Sequence, residues 1–116
     1  MGIENRILSY LREEIDRQNS EVLLTFRSNI NMSYRELKDF LNSDKFLKSS
    51  INETVGDVPD INRAVLRISN KEDESLTDND YDWMRQINAS IDKIRNSDSF
   101  HKNLRLKSLG VDETKD

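Results

Sequence analysis

The stretch that decides the fold is Leu76-Thr77-Asp78-Asn79-Asp80-Tyr81-Asp82-Trp83-Met84-Arg85, continuing as Gln86-Ile87-Asn88-Ala89-Ser90-Ile91-Asp92-Lys93-Ile94-Arg95. Its apolar residues Met84, Ile87, Ile91 and Ile94 recur at steps of three, four and three, the period of one face of an α-helix. Thr77 stands where a helix N-cap belongs. Asp80, three residues on, completes a capping box, and Leu76 with Tyr81 forms the hydrophobic pair that brackets such a start. Asp78, Asp80 and Asp82 crowd the end of the helix where the backbone dipole is positive. The spacing predicts a helix over about 78–96.

The same start signal occurs once more upstream. Met32, Ser33, Glu36 and Leu37 repeat the arrangement with Glu in place of Asp, and Leu37, Phe40 and Leu41 continue as one apolar face that ends near Asn42-Ser43. Before it, Ile3, Ile7, Leu8, Leu11 and Ile15 mark an amphipathic helix over about 3–18, with charged residues between them. Residues 21–30 have the bulk of a strand in Val22, Leu23, Leu24, Thr25 and Phe26. No other segment alternates cleanly enough to pair with them, and a lone strand is unstable. They read as a second helix, or as a continuation past a kink at Asn19-Ser20.

Residues 43–58 form a connector in which Phe46, Leu47 and Ile51 make a short helical turn against the core. Pro59 suits a first helical turn, and Ile61, Ala64, Val65 and Ile68 follow at helical spacing over 59–69. Asn96-Ser97-Asp98 breaks the main helix. Phe100, Leu104, Leu106 and Leu109 build a last, basic helix capped by Gly110, and 111–116 is expected to fray. The resulting expectation is all-α: one domain over 1–110, a small irregular helical bundle of four to six short helices. Its core is expected from Ile7, Leu11, Ile15, Leu24, Phe26, Leu37, Phe40, Leu41, Val65, Ile68 and the seam Met84, Ile87, Ile91, Ile94.

Composition narrows the functions. With 116 residues there is material for one domain. Charged residues make up 34%, against roughly 25% in a typical globular chain, so the core is small. No apolar run reaches the roughly 20 residues of a membrane span. The absence of cysteine excludes disulfides, thiolate metal sites and a Cys nucleophile. The first residues lack the pattern of a signal peptide, and Arg6 stands where a myristoylation signal wants Ser or Thr. The cytoplasm is the expected compartment. Net charge is −4, which disfavours broad phosphate binding. Locally, six acids and no base lie between Glu72 and Asp82, and five bases with one acid lie between Lys93 and Lys107.

No catalytic constellation emerges. Asp78-Asn79-Asp80-Tyr81-Asp82 opens like a calcium loop, but Trp83 and Ala89 stand where that loop needs Gly and Glu, so capping explains the acids better. His101 is the one histidine and sits in a basic stretch with no spacing that suggests a dyad or a metal set. Gly56 has no glycine partner for a phosphate loop. Catalytic residues, cofactor and metal are each expected to be none. Trp83, with Tyr81, reads either as a core residue closing the end of the bundle or as an anchor for a partner, since Trp is enriched at binding hot spots. Lys93, Arg95, Lys102, Arg105 and Lys107 read as a solvated terminal helix or as phosphate contacts.

Asn31-Met32-Ser33-Tyr34-Arg35-Glu36-Leu37 with Phe40-Leu41 resembles the N-M-[ST]-x-x-E-L-x-x-[WF]-L opening of a family of small bacterial domains of unknown function. Leu76-Thr77-Asp78-Asn79-Asp80-Tyr81 with Met84-Arg85 is similar to that family's L-T-D-x-D-Y-x-x-M-R segment, and Thr54-Val55-Gly56 falls where it carries S-V-G. The resemblance spans about residues 31–95 and leaves the helix over 3–18 outside. Some members are labelled DNA-binding, so the resemblance implies nucleic acid as one partner. The family's basic closing segment is replaced here by the nearly neutral Gln86–Asp92, and its earlier basic stretch is thinned to Arg63, Arg67 and Lys71. The expected function is that of a non-enzymatic binding protein acting through a protein partner or self-association. The alternative is nucleic-acid association through the basic C-terminal stretch.

Overall fold

A computed structural model describes residues 2–52, 54, 56–98 and 100–115, with side chains from Ile7 onward. Val55 and the side chain of Ile3, both used in the sequence reading, lie outside the described residues. In chain order the elements are α1 (Gly2–Asn29), α2 (Tyr34–Leu41), α3 (Asp44–Leu47), α4 (Asp60–Ser69), α5 (Asp78–Arg95) and α6 (Lys102–Ser108), with a 3-10 turn at Asp73–Ser75. There is no strand among the described residues. The fold is the expected small all-α bundle, and residues 21–30 are helical to Asn29.

Both predicted capping boxes form. The Ser33 hydroxyl accepts from the Glu36 N–H at 3.1 Å, and the Glu36 carboxylate accepts from the Ser33 N–H at 3.0 Å. Thr77 and Asp80 exchange the same pair of bonds at 3.2 and 3.0 Å. Pro59 occupies the N-cap of α4, just before the first turn. The Asn19-Ser20 pair does not interrupt α1. The Ser20 hydroxyl donates back to the Asp16 carbonyl, and Asn19 accepts from Arg85.

α5 is the spine. α1, α4 and α6 pack on it, and α2 packs on α4 and α6 with α3 beside it. Met84, Ile87 and Ile91 are fully buried against Phe26, Leu37, Leu41, Val65, Ile68 and Leu106. α1 runs parallel to α5 with a constant offset: Arg85 donates to the Asn19 Oδ1 at 2.6 Å, Asn88 to the Val22 carbonyl at 3.2 Å and Arg95 to the Asn29 Oδ1 at 2.9 Å, each pair 66 residues apart. That offset places Arg12 opposite the first residue of α5. The N-terminal part of α1 therefore runs past its partner helix, and the molecule measures 59 × 29 × 28 Å.

Two expectations are corrected here. Ile7, Leu11 and Ile15 are not core: they are 54%, 50% and 55% exposed, and Leu24 on the far side of α1 is 71% exposed. The cause is the continuity of α1. A single 28-residue helix outruns the 18-residue α5, so Ile7 and Leu11 have nothing to pack on, while Ile15 faces the first turn of α5 across a hollow lined by Asp78 and Tyr81. Phe100 precedes α6 and is 95% exposed, outside the apolar set to which its spacing assigned it. The described residues after Gly110 pack back on the body. Gly110 (φ +86°) ends α6 with the Val111 N–H on the Leu106 carbonyl and the Gly110 N–H on that of Lys107, a Schellman arrangement that buries Val111. Asn31 then brackets Asp112, accepting from its N–H at 2.7 Å and donating to its carbonyl at 2.8 Å, and Lys115 reaches Glu36 at 2.6 Å.

Candidate interaction surfaces

The first surface is the projecting half of α1. Its apolar residues Ile7, Leu8, Leu11 and Ile15 continue the line of the buried Phe26 and half-buried Val22, one helix face carried beyond the end of α5. At its root, Tyr81, Asp82 and Arg85 of α5 line a hollow with Ile15 and Asn19. Tyr81 and Trp83, the expected partner contacts, are both half-buried against the core. Sequence reasoning assigned the α1 stripe to the core. The signal that points to exposure is the absence of any Gly or Pro between Ile15 and Phe26.

The second surface is the C-terminal basic stretch, whose five bases do not converge. Arg95 is held by Glu113 at 3.1 Å and by Asn29. Lys107 lies over the Phe40 ring, 5.2 Å from its centroid. Lys93 is exposed and Lys102 half-buried at the start of α6. Arg105 sits between α5 and α6, where it lines two adjoining hollows of about 300 and 380 Å³ that share Ser90 and Ile94; Lys93 borders only the larger one.

The acidic cluster is structural. Asp80 is 2% exposed and accepts from Lys71 at 2.7 Å and Arg67 at 3.3 Å as well as from Thr77. Burial pushes its carboxyl up, but the hydrogen bonds from Lys71 and Thr77 outweigh it and hold the pKa down at about 2. Arg27 of α1 donates to the carbonyls of Ile68, Ser69 and Lys71, closing the C-terminal end of α4. Arg63, Arg67 and Lys71, the remnant of a basic stretch, line a hollow beside Tyr34, and each already pairs with Asp57 or Asp80. No group of three or more potential metal ligands occurs among the described residues. None of the helices described is long and apolar enough to cross a membrane.

The architecture is thus that of a small all-α bundle, built on two capped helix starts and a central spine, with one helix extended beyond the body. The chain belongs to a family of proteins of unknown function, DUF3140, whose family model matches residues 25–108. No curated protein and no solved structure matches it.

Proposed function

We propose that this chain is a binding protein rather than a catalyst, and that its contact element is the projecting half of α1 paired with a second copy of the same helix. The observation that carries this reading is the exposed stripe Ile7, Leu11, Ile15. Its spacing is symmetric about Leu11. Two copies laid antiparallel therefore bring Ile7 of each opposite Ile15 of the other and Leu11 opposite Leu11, the self-complementarity that a two-fold interface requires. Three side chains make a small interface, at the low end of specific ones, so a weak, reversible dimer is expected.

Sedimentation velocity across a concentration series tests this. The native chain should shift from monomer to dimer as concentration rises, and Leu11→Asp, placed outside the packed body, should stay monomeric with an unchanged fold. A native chain that remains monomeric at about 500 μM overturns the reading. A second reading, nucleic-acid association, is supported by Lys93, Lys102 and Arg105 having no carboxylate partner among the described residues. It requires duplex binding at about 50 mM salt that weakens steeply as salt is added.

A further inference from the structure

We propose that the cleft between α5 and α6 binds a small carboxylic acid carrying a short apolar chain, with Arg105 as its anion-holding residue. The inner hollow, about 300 Å³, is at the lower limit of small-molecule pockets. Ile51, Ile61, Ile94 and Leu109 give it an apolar wall, and Ser90 and Arg105 give it a polar end. Such a wall with one convergent cation matches an amphipathic monoanion.

Arg105 is set for this role by its backbone and left open by its side chain. Its N–H donates to the His101 carbonyl at 2.9 Å, and its carbonyl accepts from the Ser108 hydroxyl at 2.7 Å. The turn that carries it is tied to α4 by Asn62, which donates to the Ser108 carbonyl at 2.7 Å. The guanidinium forms no ion pair among the described residues, and its Nε is buried without an acceptor. A buried N–H left unpaired is costly, and a charged one more so. Nε itself is closed to solvent, so a carboxylate would meet the guanidinium end-on, with two parallel hydrogen bonds from its terminal nitrogens, and answer the unpaired charge. A phosphate dianion fits less well. Only one cation lines the inner hollow, and the chain carries a net charge of −4.

The test is an NMR titration with hexanoate, its neutral twin hexanamide, and inorganic phosphate, read at the Arg105 Nε–H and at the Ile61 and Ile94 methyl groups. Hexanoate should move all three saturably. Hexanamide should bind roughly tenfold or more weakly, the loss expected when a charged hydrogen bond is removed. Phosphate should leave the methyl groups unmoved. Arg105→Gln should weaken hexanoate by a similar factor, and Ser90→Trp, which fills the polar end where the two hollows adjoin and keeps the charge, should weaken it too. The proposal is overturned by hexanamide or phosphate matching hexanoate, by full affinity in Arg105→Gln, or by the absence of a saturable shift.

Discussion

Residues 7–15 and residues 22–29 of α1 carry the same apolar face on one unbroken helix, yet only the second run is covered. The difference lies in the partner, not in the pattern. From Asn19 onward α1 has α5 beside it, in a register pinned by Arg85, Asn88 and Arg95. Before Arg12 the partner helix has not begun. The family match starts at residue 25, inside the covered run, and so takes in α2 to α6 but not the projecting half of α1. An amphipathic period reports that a face seeks cover; it does not report where the cover comes from.

The largest expected effect separates the two runs directly. Phe26→Ala removes a fully buried ring from the point where α1 meets the core, and should cost about 3–5 kcal/mol. Leu11→Ala, on the same face four turns earlier, should cost less than about 0.5 kcal/mol in the monomer. Urea unfolding of both variants measures the contrast. Equal losses would mean that the first turns of α1 are covered within the chain itself.

How much of this was legible follows from what local sequence can encode. The two capping boxes, the seam of α5, the turn around Phe46 and the glycine that ends α6 are set by residues within a few positions of each other, and all were readable. What required the third dimension was reach. Ile7, Leu11 and Ile15 have the spacing of core residues because helical periodicity is the same against a partner in the chain or outside it. Asn19-Ser20 looked like a break because these residues favour turns, and here both side chains are occupied by bonds that leave the helix intact. The Arg105 cleft was only half visible. The arginine stood in the basic stretch, but its apolar wall draws on Ile51 and Ile61, more than 40 residues upstream. The contacts of the C-terminal residues were not legible because nothing near Asp112 announces that Asn31, 81 positions away, will hold it.

The next effect concerns the root of the projecting half. Asp80 caps α5 close to where α1 leaves the body, and its folded pKa of about 2 lies below the ordinary 3.8. A depressed carboxylate pKa stabilises the folded state above the unfolded value, and that contribution is lost as pH falls from about 4 toward 2. Asp80→Asn should remove roughly 2 kcal/mol at neutral pH. The loss is not larger because Lys71 and Arg67 keep access to water. Thermal unfolding at pH 7 and pH 2.5 checks the sign. The gap between native and variant should narrow at the lower pH, and a constant gap would remove the charge from the explanation.

Two glycines extend the contrast between packed and open sites. Both have positive φ, Gly56 at +87° and Gly110 at +86°. A Cβ at Gly56 meets nothing within 4 Å, whereas one at Gly110 comes within 3.2 Å of Ile30 and 3.3 Å of Val65. Gly56→Ala should therefore cost only the backbone strain, about 1 kcal/mol. Gly110→Ala should cost that plus overpacking, for a total of about 2–4 kcal/mol. Chemical denaturation of the pair isolates the packing part as the difference.

The smallest effect tests the other end of the chain. Lys115 sits on the Glu36 carboxylate, and that contact, followed by the Ser33 N–H, holds the Glu36 pKa down at about 2. Glu36 is exposed, so water screens the pair, and Lys115→Ala should leave the unfolding midpoint within error. The titration is the sensitive readout. Without Lys115 the Glu36 pKa should rise toward its ordinary value but stop short of it, because the Ser33 N–H still donates. An unmoved pKa would mean that the segment after Val111 does not close over α2. In that case the two chain ends would differ less than their contacts indicate, and the pinning would end at the Schellman turn.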